Sequence, residues 1–489
     1  MDKSPKRYSL DGMGPRRPVN RPAPVQRPAP RPPLDPSARP AGIENSSVPS
    51  LSSPPPRPKR TRRQWFSRRR LTIGISGLAA LIVVAGAVVT WMVHNSIIVA
   101  NTSSGAVALQ EQVDPAQLRG EGDGRVNVLL IGVDEAASLS DTIMLVSLDP
   151  IAKDVAMLSI PRDLYVNMGP DFGSAKINAA HAYGEQYEYE GGGPQLLIDT
   201  LEDVLAVPIH YYGRVNFEGF AQAIDIVDGV TIEVEEDLVD PSYPDGNDGF
   251  DPFTILAGTH TLDGERALKY ARSRYSTSDF DRSRRQQQIL LALKQRTLSL
   301  GTLSNPTKVA SLLSSLSSNA QTNMSLSEMM RVIELTEDIE SDDIVRAQLD
   351  ASADNFLSFS NVYGQSVLVP TAGDFSQIQE YVRGLLVDSY IKDESARVSI
   401  LNGTEQAGLA TDTGAFLRSF GYQVDNIDNA SEQNYTQTVI FDYTGQTPYT
   451  LRYLEQRFGV TAQRRQAPSA KSDFDIEVVI GGDYDPAAE

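Results

Sequence analysis

The chain has 489 residues and a formal net charge of −19, and this charge is divided unevenly along the sequence. Residues 1–70 carry 17 Lys and Arg against 4 Asp and Glu, a charge of +13, which leaves 27 against 59, or −32, for the rest. This length accommodates two or three domains. The absence of cysteine excludes a disulfide-stabilised scaffold and thiol catalysis.

The first 70 residues predict a disordered, basic tail. They contain 16 of the 30 prolines, in runs such as "RPAPVQRPAPRPPLDP". Such a composition buries too little apolar surface to offset the chain entropy, so we expect disorder with some polyproline II. The positive charge suits anionic lipid on the inner face of a membrane more simply than nucleic acid, which we do not expect as a partner.

The next segment, "LTIGISGLAALIVVAGAVVTWMV" (71–93), contains no charged residue in 23 positions. A helix of this length spans about 35 Å, enough for a bilayer core of about 30 Å. A cleaved signal peptide is the alternative, but the apolar stretch is too long and the leader before it too extended. By the positive-inside rule, "RRQWFSRRR" keeps the tail in the cytoplasm and places everything after the span outside the cell membrane.

After a Ser-, Ala- and Gln-rich stretch (94–122) that predicts a short stalk, the pattern becomes regular. The runs "VNVLLIGV" (126–133), "TIMLVSLD" (142–149) and "DVAMLSIP" (154–161) predict strands joined by short loops. Helical spacing follows in "PQLLIDTLEDVLAV" (194–207), "ERALKYARSR" and "DRSRRQQQILLALKQR". The order predicts an α/β or α+β fold with antiparallel pairing, in which helices sandwich a sheet.

A second, smaller unit is predicted near the C-terminus. "ARVSILNG" and "FDIEVVIGG" have strand character, and "GLATDTGAFLRSFG" has helical spacing between them. We therefore divide the part after the stalk into a main domain, residues 123–390, and a small α/β domain, residues 395–486.

Connectivity of the first three strands predicts a cluster of charged residues. If the strands alternate in direction, Asp134, Asp141 and Arg162 all lie at the same edge of the sheet. Two close carboxylates repel unless a cation lies between them, and Mg²⁺ accepts such ligands together with phosphate oxygens. The guanidinium of Arg162 would bind phosphate beside the ion. The alternative is that the two Asp residues only serve a solvated turn.

The stretch "YARSRYSTSDFDRSRRQQQ" (270–288) holds five arginines in an otherwise acidic region. Helical spacing places Arg282, Arg285 and Gln286 on one face, which continues with Ile289 and Leu293, whereas Arg284 points to solvent. The face suits an amphiphilic ligand with an anionic head. The alternatives are a solvated charged face and, for the two apolar residues, core packing.

Other searches exclude several kinds of site. The chain has no Gly-rich phosphate loop, no zinc-type cluster and no nucleophile elbow. The loop "DPSYPDGNDGFDP" (240–252) lacks the spacing of an EF-hand, so we interpret it as a surface loop.

An ordered set of motifs resembles the LytR-CpsA-Psr family over about residues 125–390. The set is "NVLLIGVD", "SDTIMLVSLDP", "LSIPRDLYV", "KINAAHAYG", "GGGP", "AGTHTLDGERALKYARSR" and "SDFDRSRRQQQ". The region 396–485 is similar to the LytR C-terminal domain. The resemblance implies a membrane-anchored, Mg²⁺-dependent enzyme that moves a glycopolymer from a polyprenyl (pyro)phosphate carrier onto peptidoglycan through a phosphodiester.

The resemblance also implies roles for particular residues. Asp134 and Asp141 would be the Mg²⁺ ligands, and Arg162, Arg272 and Arg274 would hold the diphosphate. The remaining implied site residues are Asp279, as a general base or as a partner of an arginine, and Lys176, Asn178, Arg282, Arg285 and Gln286, which would bind substrate.

The chain departs from the family pattern beside these residues. The loop between Asp134 and Asp141 is shorter than usual, and Leu139 stands where many members have an arginine. Two alternatives to transfer therefore stay open: hydrolysis of the same lipid diphosphate, and a non-catalytic anchor or regulator that binds the wall.

Overall fold

The computed structural model describes residues 105–134, 138–245, 249–273, 279–299, 309, 314–316, 318–340, 343–351, 356–466 and 474–484. The predicted tail (1–70) and the predicted membrane span (71–93) lie outside these residues. In the part of the chain that is described, no helix is both long enough and apolar enough to cross a bilayer.

The described residues alternate between short strands and helices. The strands are β1 (Val126–Val133), β2 (Ser140–Asp149), β3 (Asp154–Ile160), β4 (Tyr165–Asn167), β5 (Ser174–Lys176), β6 (Tyr211–Asn216), β7 (Val230–Val234), β8 (Leu238–Asp240), β9 (Phe253–Ile255), β10 (Gly258–Leu262), β11 (Ala320–Thr322), β12 (Ile344–Gln348), β13 (Leu357–Val362), β14 (Gln365–Pro370), β15 (Arg397–Asn402), β16 (Gln423–Asn429), β17 (Val439–Asp442), β18 (Gln463–Arg464) and β19 (Ile476–Ile480). The helices are α1 (Asn178–Gln186), α2 (Gly192–Leu205), α3 (Phe217–Ile226), α4 (Gly264–Arg272), α5 (Asp279–Ser299), α6 (Leu326–Thr336), α7 (Ser376–Leu385), α8 (Ser389–Glu394), α9 (Leu409–Ser419) and α10 (Pro448–Phe458).

A six-stranded sheet in the order β11-β6-β1-β2-β3-β12 forms the centre of the main domain. The strands β1, β2 and β3 pair antiparallel in sequence, with Leu129 opposite Leu145 and Leu145 opposite Leu158. On the two sides of this meander, β6 pairs parallel with β1 and β12 pairs parallel with β3. The prediction of a mixed α/β fold is therefore confirmed.

Both faces of the central sheet are covered, which explains why apolar residues occur on both faces of its central strands. Leu129 and Leu145 face a core that includes residues of α1, α2 and α7. Met144 and Met157 face the opposite side, where residues of α5 and α6 pack. Successive side chains of a strand point to opposite faces, so the alternation within β2 divides its residues between two cores.

The C-terminal sheet has five strands in the order β16-β15-β19-β17-β18. The strand β15 pairs parallel with β16 and β19, and β17 pairs antiparallel with β19. Helices α8, α9 and α10 contribute to its buried core, as Ile391, Leu417 and Leu454 show.

The described part of the predicted stalk is packed rather than exposed. Ala106 and Ala108 are buried in the core beneath the central sheet, and the hydroxyl of Tyr211 accepts a hydrogen bond of 2.9 Å from the backbone N–H of Ala106. Val113 and Leu118 are buried in the core of the C-terminal sheet. From residue 105 onward this segment therefore joins the two sheets, because the burial of its apolar side chains outweighs the polar composition around them.

A buried arginine connects the beginning of β1 to the β2–β3 hairpin. Only 2% of the Arg125 surface is exposed. Its guanidinium binds Asp149 at 3.1 Å and Asp154 at 2.7 Å, and its Nε donates to the hydroxyl of Ser147 at 2.8 Å. It also donates to the carbonyl oxygen of Val387, just before α8, at 3.3 Å. One side chain thus ties the sheet to the connection that leads into the C-terminal unit.

Replacing this buried arginine is expected to lower the free energy of unfolding far more than replacing an exposed arginine. Arg125→Met leaves Asp149, which is fully buried, without its cation, so we expect the free energy of unfolding in urea to fall by about 3–5 kcal/mol. The matched control is Arg284→Met, whose side chain is 65% exposed and pairs with Asp281, which is 31% exposed. An exposed pair contributes less than about 1 kcal/mol. Equal losses for the two variants would contradict this assignment.

Candidate active site

The antiparallel meander brings two carboxylates and one arginine to the same edge of the central sheet. Asp134 follows β1, Asp141 lies at the start of β2, and Arg162 follows β3. All three line one cavity of about 510 Å³. The Nη1 of Arg162 donates to Oδ1 of Asp141 at 2.5 Å. The interpretation of the two Asp residues as mere solvated turn residues does not account for this convergence.

The turn between the two carboxylates is held by helix α1. The backbone N–H of Ser138 donates to the carbonyl of Asp134 at 2.8 Å, which closes the turn. Nδ1 of His181 lies 2.9 Å from the carbonyl oxygen of Ser138, and the hydroxyl of Ser140 donates to the carbonyl oxygen of Asn178. Burial lowers the pKa of His181, so a neutral ring donates its Nδ1 proton here. The "KINAAH" segment (176–181) thus holds this turn in place through hydrogen bonds to Ser138 and Ser140.

Helices α3 and α4 supply the opposite wall of the cavity. Asn216 caps α3 by accepting from the N–H of Gly219, and Phe217 is the first residue of that helix. Arg272 is the last residue of α4, and its guanidinium carbon lies 3.8 Å from the centre of the Phe217 ring. It also donates to the hydroxyl of Tyr243 at 3.4 Å. The stacking on Phe217 holds the guanidinium of Arg272 at the cavity wall, and these two contacts use few of its N–H donors.

Helix α5 contributes Arg282 and Gln286, which line the same cavity from a third side. These two residues also line a neighbouring cavity of about 340 Å³ together with Asp141, Arg162 and Lys176. Because the two cavities have four of these five residues in common, they are adjacent parts of one cleft.

Several predicted residues lie behind the cleft or beside it. Lys176 reaches it and binds Asp163 at 2.7 Å. Asn178 is buried without lining either cavity, and its N–H donates to the carbonyl of Arg162 at 3.2 Å. Arg285 is also buried and lines neither cavity, since its guanidinium donates to backbone carbonyls at the end of α4. Arg274 and the side chain of Asp279 lie outside the described residues.

The helix face predicted from spacing is divided in the structure. Three residues turn an α-helix by about 300°, so Arg285 is displaced by about 60° from Arg282 around the axis. That displacement is enough to direct Arg285 toward α4 instead of the cleft. Ile289 and Leu293 pack in the core between α5 and the strands β7–β10, which is the core-packing alternative. Arg284 is 65% exposed and pairs with Asp281, as its position predicted.

The cleft also contains residues that spacing did not indicate. Asp240, Ser242 and Tyr243 line it, although the loop that begins at Asp240 was interpreted as a surface loop. Asp240 is only 4% exposed and lies at the end of β8. Phe217 is the fourth such residue. A carboxylate directly after a strand-like run was the only signal that could have indicated Asp240, and nothing indicated the two aromatic residues.

The charges of the cleft fit a phosphate ligand and a hard cation. Its cations are Arg162, Arg272, Arg282 and Lys176, and planar guanidinium groups suit the paired oxygens of phosphates. Among the described residues no group of three or more His, Cys, Asp or Glu side chains could hold a metal ion. Mg²⁺ does not need such a group, because one or two carboxylates with water and phosphate oxygens complete its shell. Asp134 and Asp141 are therefore suitable ligands.

Comparison with known proteins gives the family. A model of the LytR_cpsA_psr family matches residues 90–382, and a model described as "LytR cell envelope-related transcriptional attenuator" matches residues 395–484. The polyisoprenyl-teichoic acid–peptidoglycan teichoic acid transferase TagU of Oceanobacillus iheyensis is 34% identical over 285 residues, which cover 56% of this chain and 83% of TagU. Regulatory protein MsrR of Staphylococcus aureus is 38% identical over 197 residues, 39% of this chain and 55% of MsrR.

Among solved structures, the crystal structure of TagV from B. subtilis aligns with a TM-score of 0.43 and 28% identity, covering 55% of this chain and 98% of TagV. The family assignment rests on the sequence matches instead. Since the first family model covers more than half of the chain, the protein belongs to the LytR_cpsA_psr family and carries a LytR C-terminal domain.

Proposed function

We propose that this protein is a membrane-anchored phosphotransferase that moves a glycopolymer from a polyprenyl (pyro)phosphate carrier onto peptidoglycan. The main support is the convergence of Asp134, Asp141, Arg162, Arg272 and Arg282 on one cleft. The identity with TagU over most of its length adds support, because TagU is named as a teichoic acid transferase that uses a polyisoprenyl-linked donor and peptidoglycan.

The proposed reaction is one phosphoryl transfer. A peptidoglycan hydroxyl oxygen attacks the phosphorus that carries the glycan, and a new P–O bond forms. The bond from that phosphorus to the bridging oxygen breaks, and polyprenyl phosphate leaves with the electron pair. Such transfers rely on positioning and on charge stabilisation more than on a protein nucleophile. The described residues that line the cleft include arginines but no His, which is consistent with that requirement.

Each residue has a proposed part in this step. Arg162, Arg272 and Arg274 bind the diphosphate and stabilise the charge that builds up on its oxygens. Asp279, the first residue of α5, takes the proton of the attacking hydroxyl or orients a neighbouring arginine. Lys176, Arg282 and Gln286 hold the rest of the donor head group, and Asn178 keeps the turn of the carboxylates in place.

Mg²⁺ is proposed as the cofactor, held by Asp134 and Asp141. When bound, the ion would neutralise phosphate charge and bring the donor to the arginines. Arg162 binds Oδ1 of Asp141, and the other carboxylate oxygen would be the one that contacts the ion.

The location is proposed from the first 93 residues. A span at 71–93 with a basic cytoplasmic tail places the cleft outside the cell membrane, near a lipid-borne donor. The glycopolymer itself is left unspecified in this proposal.

One observation favours a second function, that of a non-catalytic wall-binding anchor or regulator. Leu139, in the position where many family members carry an arginine, lines the cleft. The cleft therefore presents an apolar side chain where a further phosphate contact is usual. A relative, MsrR, is named as a regulatory protein.

Transfer is tested by incubating the purified chain with a synthetic polyprenyl-diphosphate oligosaccharide, peptidoglycan and Mg²⁺, and by detecting glycan–wall phosphodiester by mass spectrometry. We expect Asp141→Asn and Arg272→Ala each to reduce the rate by about 100-fold or more, because each removes charge stabilisation from the transition state. The matched control is Asp171→Asn, an exposed loop residue, with no change expected. Free glycosyl phosphate would indicate hydrolysis, and tight binding without any product would indicate the anchor.

The proposed metal site predicts a specific change in the Mg²⁺ requirement. Asp134→Asn removes one anionic ligand, so we expect the Mg²⁺ concentration at half-maximal rate to rise by about tenfold or more. Chelation of the wild type should abolish transfer, and added Mg²⁺ should restore it. An unchanged Mg²⁺ titration in Asp134→Asn would refute the assignment of this ligand.

Leu139 offers a gain-of-function test. Leu139→Arg adds a cation to the cleft wall, and we expect the dissociation constant for a polyprenyl diphosphate to fall by about tenfold, as measured by calorimetry. Leu139→Met conserves volume without charge and serves as the control. If both variants bind as the wild type does, residue 139 does not contact the diphosphate.

A further inference from the structure

The C-terminal end of helix α4 requires partners for its last carbonyl groups. An α-helix leaves four carbonyl oxygens at this end without intrahelical donors. In α4 the end is buried, since Ser273, which follows it, has no exposed surface. Buried carbonyl groups without partners are costly, so the surrounding residues determine whether the end of this helix is well ordered.

Arg285 of α5 donates to two carbonyl groups at this end, one in the last turn and one just after it. Its Nε donates to the carbonyl of Tyr270 at 2.9 Å, and its Nη2 donates to the carbonyl of Ser273 at 2.5 Å. The neighbouring Gln286 donates to the carbonyl of Ala271 at 3.4 Å. A cation at this end also interacts favourably with the helix dipole. Arg285 is 8% exposed, so its contacts are sheltered from water.

Asp240 holds the same segment through the side chain of Ser273. The hydroxyl of Ser273 donates to Oδ2 of Asp240 at 2.6 Å, and both residues are buried. Oδ1 of Asp240 accepts from the N–H of Ser242 at 3.1 Å, which fixes the carboxylate at the end of β8. Ser273 is therefore bound through its carbonyl by α5 and through its hydroxyl by the last residue of β8.

Arg272 is the residue directly before this doubly held serine. Its guanidinium lies on the ring of Phe217 and lines the cleft. We propose that Arg285 and Asp240 are positioning residues that clamp the end of α4 and thereby hold Arg272 against Phe217, where it binds the anionic head of the donor. Arg285 then acts through Arg272 and does not itself bind phosphate. The inference rests on the proposed function in taking Arg272 as a donor-binding residue.

A double-mutant cycle separates a positioning role from a substrate contact. The full chain in detergent is titrated with farnesyl diphosphate by calorimetry, for Arg285→Met, Arg272→Ala and the double variant. We expect Arg285→Met to raise the dissociation constant by about tenfold, but by less than about threefold when Arg272 is already Ala, because the two changes remove the same interaction. Effects that multiply fully would overturn the clamp and make Arg285 an independent ligand.

Two further variants control for charge. Arg285→Lys keeps a cation but cannot reach two carbonyl groups at once, so we expect it to bind farnesyl diphosphate as weakly as Arg285→Met. Wild-type affinity in this variant would contradict the clamp. The matched control is Arg284→Met, one position earlier and exposed, which should leave the dissociation constant unchanged.

Hydrogen exchange tests the clamp without any ligand. We expect backbone amides of 269–273 to exchange about tenfold faster in Arg285→Met and in Ser273→Ala, while Arg272→Ala and Arg284→Met leave them unchanged. Ser273→Ala removes only the hydroxyl contact with Asp240, so it provides the test if Arg285→Met does not fold. Unchanged exchange in both clamp variants would overturn the proposal. If the wild type binds farnesyl diphosphate but transfers nothing, the proposed function fails while the cycle and the exchange rates still decide the clamp.

Discussion

The antiparallel pairing of β1, β2 and β3 is the constraint on which the site depends. With Gly132 opposite Thr142, the end of β1 and the start of β2 lie side by side, and the end of β3 follows on the same edge. Strands that are consecutive in the sequence therefore bring two carboxylates and an arginine to one edge, without contacts between distant segments. The bond from Arg162 to Asp141 offsets the charge of one of these carboxylates, and Asp134 lines the same cavity.

The second half of the site depends on packing between segments far apart in sequence. Arg272 lies on an aromatic ring at the start of α3, and its helix ends against α5 and the end of β8. These contacts join residues 217, 240, 272 and 285 across a buried junction. The cleft is thus formed by a local element, the meander, facing a set of long-range contacts, the ends of α3, α4 and α5.

A second junction unites the two sheets. The segment before β1 places Ala106 and Val113 in different cores, and Glu121 binds Arg457 of α10 at 2.8 Å. Asp388, before α8, accepts from the hydroxyl of Tyr453 at 2.7 Å and from the N–H of Gly124. From residue 105 onward, the described segment before β1 is therefore part of the folded body that contains the cleft.

The sequence by itself determined the class of fold, the first three strands and the meeting of Asp134, Asp141 and Arg162, because hydrophobic runs and short loops are local signals and connectivity follows from them. It also indicated the arginines of residues 270–288. Only the tertiary structure decided that Arg282 faces the cleft while Arg285 caps α4, and that Asp240, Phe217 and Tyr243 complete the wall. It also decided that the apolar side chains of residues 105–122 enter two cores. These features depend on contacts between segments that are distant in the sequence. Such contacts produce no periodic pattern in the sequence, because they depend on the shape and charge of the residues that folding brings together.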